Sequence, residues 1–255
     1  AVTTRNTDKI RALLKSIETG DPEAVAVVNE ARYIQHNPQT HEGSDGLAVL
    51  FARLATTHPR VNVVRAFEDG DFVFAHTEYD FASRRIGFEL FRFEDGQAVE
   101  HWDNIQSREG PNPSGRSMAE GPTEATELEH TDANRDRAAQ FVSEVLVGGA
   151  FDRLDAFTTG DALIQHDPAL PDGAAAWREA LALPESDSRS LRYDRLHRTF
   201  AEGNFAICQC EGRLGGEHAA LYHLFRLADG LIAEHWRTFE HIAPRSEWKN
   251  DNSKF

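Results

Sequence analysis

Hydrophobic positions in the first hundred residues change from a helical spacing to an alternating one. Up to residue 54 they recur at i, i+3, i+4 and i+7, which predicts three helices: residues 10–17 with an end at Gly20, Asp21 to about residue 32, and residues 47–54. From residue 61 onward apolar and polar residues alternate, and strands are predicted at 61–67, 71–81, 87–93 and 97–106. Three helices followed by an antiparallel meander are typical of an α+β domain.

The same order of elements occurs twice in the 255 residues. The pattern D-G-x-x-x-E-H-W stands at 95–102 and again at 229–236, and I-Q-H-x-P stands at 34–38 and at 164–168. Residues 107–130 are rich in Gly, Pro, Ser and Glu and show no apolar periodicity, which is typical of a linker. We therefore predict a first domain at 1–106, a linker at 107–130, a second domain at 131–245 and a tail at 246–255.

The excess of acidic residues disfavours negatively charged partners. With 42 acidic and 27 basic residues the formal net charge is −15, so nucleic acid and anionic membrane surfaces are poor partners. Cys208 and Cys210 lie two apart in a predicted strand, where they point the same way without the approach that a disulfide requires. This cysteine usage, together with the lack of a signal-peptide pattern, predicts a cytoplasmic protein.

These motifs resemble those of the SnoaL-like group of the nuclear-transport-factor-2-like superfamily. The resemblance is carried by I-Q-H-x-P, by L-F-R-x-x-D-G-x-x-x-E-H-W and by the closing N-D-N-S-K-F. It implies two tandem cone-shaped domains, each with three helices packed on a curved antiparallel sheet that encloses an apolar pocket. It further implies pairing through the outer sheet faces, hence an internal pseudo-dimer, with a homo-oligomer left open. Members include aldol cyclases, isomerases, dehydratases, epoxide hydrolases and non-catalytic proteins, so the fold alone does not decide function.

The last strand of the first half carries the main candidates for catalysis. Because side chains alternate, His101 and Asp103 share one face and Trp102 lies on the other. A histidine and a carboxylate in an apolar pocket can do acid–base work, and the resemblance implies an acidic residue in this region, for which Asp103 is the nearest candidate. Alternatively, the two form a solvated or interface hydrogen bond. Arg237 replaces Asp103 in the second half, which makes that half a degenerate partner or an anion holder.

Further candidates come from the loop after the second helix and from the second strand. His36 either lines the pocket mouth or closes a turn before Pro38, and His76 with Glu78 forms either an acid–base couple or a structural pair. The catalytic candidates are thus Asp103, His101, His36 and His76. The candidates for binding are Phe72, Phe74, Trp102, His166, His235 and Arg237.

The expected chemistry uses neither metal nor cofactor. No histidine pair has the spacing of known metal motifs, and no nucleotide-binding or nucleophile motif occurs. The leading hypothesis is a cofactor-free acid–base enzyme that acts on a small apolar carbonyl compound as an aldol cyclase, isomerase or dehydratase. The alternative is a non-catalytic module that binds a small apolar molecule in the same pocket.

Overall fold

The computed structural model describes residues 5–29, 31–41, 47, 51 and 53–255. The chain forms two compact units, one comprising Ala1–Ser107 with Ala243–Phe255 and the other comprising Arg108–Ile242. The segment predicted as a linker therefore lies within the second unit, and the tail lies within the first. No helix of the described residues is long and apolar enough to cross a membrane.

The helices of the first unit agree in part with the predicted ones. Helix α1 (Asn6–Thr19) ends at Gly20, whose positive φ of 72° suits glycine. The predicted second α-helix is a shorter 3₁₀ helix, Pro22–Val27, started by the Asp21 carboxylate, which accepts from the backbone N–H of Glu23. It ends early because Val28 forms a parallel bridge with Ala98 of the sheet. Of the predicted third helix, residues 47, 51 and 53–55 are helical, and the rest, including Leu50, lies outside the described residues.

All four predicted strands of the first unit are confirmed, with ends that differ by a few residues. They are β2 (Arg60–Asp69), β3 (Phe72–Asp80), β4 (Arg84–Glu94) and β5 (Gln97–Ser107), joined by the short β1 (Ile34–Gln35). The order is β1-β5-β4-β3-β2, and β1 runs parallel to β5, so the sheet is mixed and not wholly antiparallel as expected. Bulges interrupt the regular pairing in β2, at Val64, and in β5, at Val99.

The second unit repeats this plan. Its helices are α2 (Thr131–Phe141), continued by a π-helical segment Val142–Val147, then α3 (Leu154–Phe157) and α4 (Ala174–Leu181), with 3₁₀ turns at Leu128–His130, Phe151–Arg153 and Gly160–Ala162. Its strands are β6 (Ile164–Gln165), β7 (Leu191–Glu202), β8 (Phe205–Leu214), β9 (Glu217–Ala228) and β10 (Leu231–His241), in the order β6-β10-β9-β8-β7. A last 3₁₀ turn, Arg245–Glu247, belongs to the first unit.

Each sheet has one face that packs against helices and one that faces away from them. In the first unit the helix-facing side holds Val73, Ala75 and Phe91 in one core cluster with the apolar face of α1. The opposite face carries the alternate residues, including Phe74 and Trp102, which are also buried. The two α+β units and their helix-facing cores were thus predictable from periodicity, and the faces decide which candidates meet.

Candidate functional site

His101 and Asp103 lie on the helix-facing side of β5, next to Glu89 on β4. The register places Glu89 directly opposite Asp103. His101 Nε2 lies 2.7 Å from Glu89 Oε2 and 3.9 Å from Asp103 Oδ2. All three side chains are buried, so two carboxyl groups and an imidazole share a water-poor site.

One proton must lie between His101 and Glu89. Gln35 Oε1 accepts from the backbone N–H of Asn37 at 2.9 Å, and the same oxygen lies 2.7 Å from His101 Nδ1. Nδ1 therefore carries a hydrogen, which leaves Nε2 facing a carboxylate oxygen. Two acceptors do not approach to 2.7 Å without a proton, so the pair is either imidazolium with carboxylate or neutral imidazole with carboxylic acid.

Asp103 is held by partners of unequal strength on its two oxygens. Asn37 Nδ2 donates to Oδ2 at 2.7 Å, and the ammonium of Lys254 lies 3.5 Å from Oδ1. Among the described residues Oδ1 accepts no hydrogen bond. Burial, reinforced by the charge of Glu89, raises the pKa of Asp103 above its usual value, although Lys254 and His101 oppose the shift.

Two tyrosines complete the surroundings of this centre. Tyr79 donates to Glu89 Oε1 at 2.5 Å. Tyr33 stacks above His101 with ring centroids 6.4 Å apart, and its buried hydroxyl has no hydrogen-bond partner among the described residues. Burial, together with the charges of Glu89 and Asp103, raises the pKa of Tyr33 well above its usual value, so its hydroxyl remains a donor at neutral pH.

Glu89, His101 and Asp103 are also the group of side chains in the described residues with the donor set for a metal ion. Their ligand atoms lie within 4.8 Å of one another. However, Glu89 Oε2 already shares a proton with His101 Nε2, and the Lys254 ammonium faces Asp103. A metal ion would have to displace both, so the residues present fit a protonic centre better than a metal centre.

His36 and Trp102 belong to a different cluster on the other face of the sheet. The rings stack with centroids 4.8 Å apart, and Glu100 accepts from His36 Nε2 at 2.7 Å and from Arg92 Nε at 2.8 Å. His36 Nδ1 lies 2.6 Å from the carbonyl oxygen of Ser253. Although burial opposes it, these bonds hold the pKa of Glu100 below its usual value.

The second unit repeats this cluster almost atom for atom. His166 stacks on Trp236 with centroids 4.7 Å apart, and Glu234 accepts from His166 Nε2 at 2.6 Å and from Arg226 Nε at 2.9 Å. His166 Nδ1 lies 2.7 Å from the carbonyl oxygen of Ser117. In both units, therefore, the I-Q-H and E-H-W motifs bind a chain segment that lies outside the motifs, around Ser253 in the first unit and around Ser117 in the second.

The helix-facing centre of the second unit is organised differently. His235 Nδ1 bonds Gln165 Oε1 at 2.8 Å, as in the first unit, but its Nε2 meets Nδ1 of His223 at 2.7 Å, and His223 Nε2 meets the Tyr193 hydroxyl at 2.7 Å. Each nitrogen and oxygen in this series of hydrogen bonds has a donor or acceptor role when both imidazoles are neutral. Burial lowers the pKa of His223 to about 3 and that of His235 well below its usual value, which agrees with the neutral assignment.

Arg237 occupies the position of Asp103 and is fully engaged. Its Nε and Nη2 donate to the two oxygens of Asp167 at 3.0 and 3.1 Å, and its guanidinium carbon lies 4.0 Å from the ring centroid of Phe239. Trp177 of α4 covers His235 with centroids 4.2 Å apart. In the second centre, therefore, the charged groups Arg237 and Asp167 pair with each other, and Trp177 packs on His235.

The remaining candidates, His76, Phe72 and Phe74, share the face of β3 opposite to Asp103. His76 Nδ1 accepts from Arg65 at 2.6 Å, and its ring packs edge-on against Phe88. Of the four catalytic candidates the structure brings together His101 and Asp103, whereas His36 and His76 lie on the other side of the sheet. Strand alternation separates them, since His76 pairs with Phe88 while Asp103 pairs with Glu89.

Sequence reasoning missed Glu89, Tyr33, Gln35, Asn37 and Lys254. Glu89 carried a usable signal, because it stands two positions before Phe91 in a strand where alternate residues are apolar. Gln35 and Asn37 flank His36 in the I-Q-H-x-P motif, in which the histidine was the residue that indicated chemistry. Lys254 carried no local signal, since its meeting with Asp103 depends on the path of the chain.

A groove in the second unit has a volume of about 550 Å³ but contains none of the candidate residues. It is lined by the start of α2 and by the turn between β9 and β10, with His130 and Arg137 among its polar groups. Its lining contains no buried acid or base, so the groove is not a candidate site for acid–base catalysis.

Comparison with known proteins finds a family match within the first unit. A family model described as a SnoaL-like domain matches residues 10–101. A search of curated proteins found no match. Among solved structures, TsrD from Streptomyces laurentii is 20% identical over 41% of this chain and 92% of its own, with a TM-score of 0.36. A "putative ketosteroid isomerase" from Kribbella flavida is 17% identical over 45% and 83%, with a TM-score of 0.38. These structural scores carry no argument about activity. Residues 10–101 thus match a SnoaL-like domain, and the second α+β half of the chain repeats the strand order of the first.

Proposed function

We propose that the first unit is a cofactor-free acid–base catalyst that moves a proton at a carbon next to the carbonyl of a small apolar compound. The observation that carries the proposal is the buried Asp103 carboxyl, whose Oδ1 accepts no hydrogen bond among the described residues, beside a proton shared by His101 and Glu89. A desolvated carboxylate is a stronger base than one in water. A shared proton next to it can be delivered without a solvent molecule.

The chemistry follows from the positions of these groups. Asp103 Oδ1 takes a proton from the α-carbon, and the electron pair of the C–H bond moves to the carbonyl oxygen as an enolate. The Tyr33 hydroxyl is a protonated donor that can stabilise this oxygen, because the raised pKa keeps it neutral. In a ketone with a double bond conjugated to the enolate, return of the proton from Asp103 to the far carbon gives isomerisation. Attack of the enolate carbon on a second carbonyl gives an alkoxide, which takes the proton back from Asp103 and completes an aldol cyclisation.

The contrast between the units supports assigning the chemistry to the first one. The first centre holds two carboxyl groups and a shared proton, whereas the second holds a chain of neutral groups and the Arg237–Asp167 pair. A neutral chain with every atom satisfied has no base to offer a carbon acid. Of the two helix-facing centres, the first therefore has the carboxylate oxygen that accepts no hydrogen bond among the described residues, whereas the carboxylate of the second, Asp167, is paired with Arg237.

Exchange of α-hydrogens in D₂O tests the proposal before the natural substrate is identified. A panel of cyclic and polycyclic apolar ketones is incubated with the protein, and loss of the α-proton signal is followed by NMR. We expect Asp103→Asn to reduce exchange by a factor of about 10²–10⁴, the usual contribution of a positioned base. Equal exchange by the variant and the parent would refute the assignment of Asp103.

A matched pair of variants locates the chemistry in one unit. Glu89 and His223 occupy equivalent positions, each bonded to the histidine of its own E-H-W motif. Glu89→Gln removes the shared proton and is expected to slow exchange, whereas His223→Gln in the second unit leaves it unchanged. If His223→Gln abolishes exchange in a folded protein, the second unit is part of the catalyst.

A binding function without catalysis is the second candidate, and the second unit favours it. Its histidines are engaged in structural hydrogen bonds, and Trp177 packs on His235. Ketones that bind, as shown by NMR line broadening, but undergo no exchange with either the parent or Asp103→Asn would favour this function over catalysis.

A further inference from the structure

The segment Asn250–Phe255 is bound along the loop that carries Asn37. Asn250 Nδ2 donates to the carbonyl oxygens of Asn37 and Thr40, both at 2.8 Å, and Asn252 Nδ2 donates to that of Gln35 at 2.9 Å. The next contacts are those already described for Ser253 with His36. The carbonyl oxygen of Phe255 accepts from Trp102 Nε1 at 3.0 Å. This spacing of contacts fixes the side chain between Ser253 and Phe255, which is Lys254.

Lys254 is a buried cation beside the candidate base. The residue is 3% exposed, and its ammonium lies 3.5 Å from Asp103 Oδ1, the oxygen that accepts no hydrogen bond from the part of the chain that the structure describes. A buried ammonium is costly unless it is paired, so a negative charge on Asp103 favours its placement here. The approach is too long for a strong hydrogen bond, which leaves the lone pairs of Oδ1 available.

The second unit supplies an internal comparison. There the segment beginning at Asn112 plays the same role: Asn112 Nδ2 donates to two carbonyl oxygens of the matching loop, and the carbonyl oxygen of Glu120 accepts from Trp236 Nε1. The residue after Ser117 is Met118, equally buried but uncharged, although two residues lie between Ser117 and Glu120 against one between Ser253 and Phe255. The chain thus carries a cation at this point of the segment only in the unit where the strand bears Asp103, and it carries Met118 where the strand bears Arg237.

We infer that Lys254 is a positioning residue for the first centre: docked by the segment Asn250–Phe255, it keeps Asp103 ionised and holds Oδ1 towards the substrate. This inference rests on the proposed function and goes beyond it, because it makes the base depend on a distant part of the chain.

The direct test is the titration of Asp103 in the full-length protein, which needs no substrate. Aspartate is labelled with ¹³C at the carboxyl carbon, and the Asp103 signal is assigned by its loss in Asp103→Asn. Lys254→Met is the test variant, since methionine is an unbranched side chain without the charge and Met118 is buried after Ser117 in the other segment. We expect its Asp103 midpoint to rise by about 1–3 pH units, the usual effect of removing an adjacent opposite charge, and Lys254→Arg to restore most of it. An unchanged midpoint in Lys254→Met overturns the inference.

Two further variants keep the inference falsifiable if Lys254→Met does not fold. Lys254→Gln retains polarity without charge and is expected to raise the midpoint in the same way. Asn250→Ala weakens docking without touching the lysine and is expected to raise it partly. Unchanged midpoints in both overturn the inference.

The kinetic outcome separates this inference from the proposed function. Where a ketone is turned over, Lys254→Met is expected to lower kcat and move the pH profile upward with KM little changed. If Lys254→Met shifts the NMR midpoint of Asp103 but Asp103→Asn does not slow exchange, Lys254 has the inferred electrostatic role and Asp103 is not the base. The converse, with Asp103→Asn inactive and an unshifted midpoint, refutes only the role of Lys254.

Discussion

The buried pair of Arg237 and Asp167 gives the sharpest stability prediction. The side chains are 10% and 8% exposed, and the guanidinium donates two hydrogen bonds to the carboxylate. Arg237→Met leaves Asp167 charged and unpaired in the interior. Loss of one partner of such a pair costs about 3–5 kcal/mol, and the lost contact with Phe239 adds about 0.5–2 kcal/mol.

The double variant isolates the electrostatic part of this cost. Asp167→Asn added to Arg237→Met removes the stranded charge and places in the second unit the amide that Asn37 supplies in the first. We expect most of the lost stability to return, with a residual cost of about 1–2 kcal/mol from packing and cation–π contact. The comparison therefore distinguishes an unpaired charge from a simple loss of volume.

Hydrogen exchange measured by mass spectrometry can assign the loss to the second unit. Peptides from β10 report the free energy of opening, and a loss of about 3–5 kcal/mol corresponds to exchange about 10²–10⁴ times faster. Arg189→Met, which breaks an exposed pair with Asp187, is the matched control and is expected to leave exchange unchanged. A loss below about 1 kcal/mol for Arg237→Met, or a double variant as unstable as the single one, would refute the reasoning.

Three further predictions concern buried groups. Burial raises the pKa of Cys208 to about 12 and that of Cys210 well above its usual value, so neither thiol is expected to react with iodoacetamide at pH 8 until guanidinium unfolds the protein; native labelling would contradict this. Gly87→Ala places a methyl group 2.7 Å from the ring of Tyr79 and is expected to cost about 1–3 kcal/mol in urea unfolding, with a neutral result showing that the ring can move. The pKa of His223, about 3 in the folded chain against 6.5 ordinarily, lies low because of burial, so its contribution to stability is complete above pH 6.5 and is lost as the pH falls towards 3; His223→Gln should flatten the thermal-unfolding midpoint over that range.

Local sequence patterns were sufficient to predict which candidate residues share a face of a strand. Alternation along β5 was enough to separate His101 and Asp103 from Trp102, and the same rule excludes His76 once its register is known. The retained histidines, His36 and His166, looked like site residues because both halves keep them. Their stacking and ion pairing explain that retention by fastening a chain segment, which no periodicity could indicate.

The sequence by itself determined α1, the four long strands of the first unit, the duplication and the position at which the two copies differ, because helical and alternating spacings and repeated motifs are local properties. Tertiary structure decided what that position does. Asp103 meets Glu89 through strand register, Asn37 through a loop, and Lys254 through a segment from the far end of the chain. His36 and Ser253 stand 217 positions apart yet share a hydrogen bond, and such meetings depend on packing over long sequence separations. These neighbours set the pKa of the buried carboxyl group, so its chemistry could be inferred only from the tertiary structure.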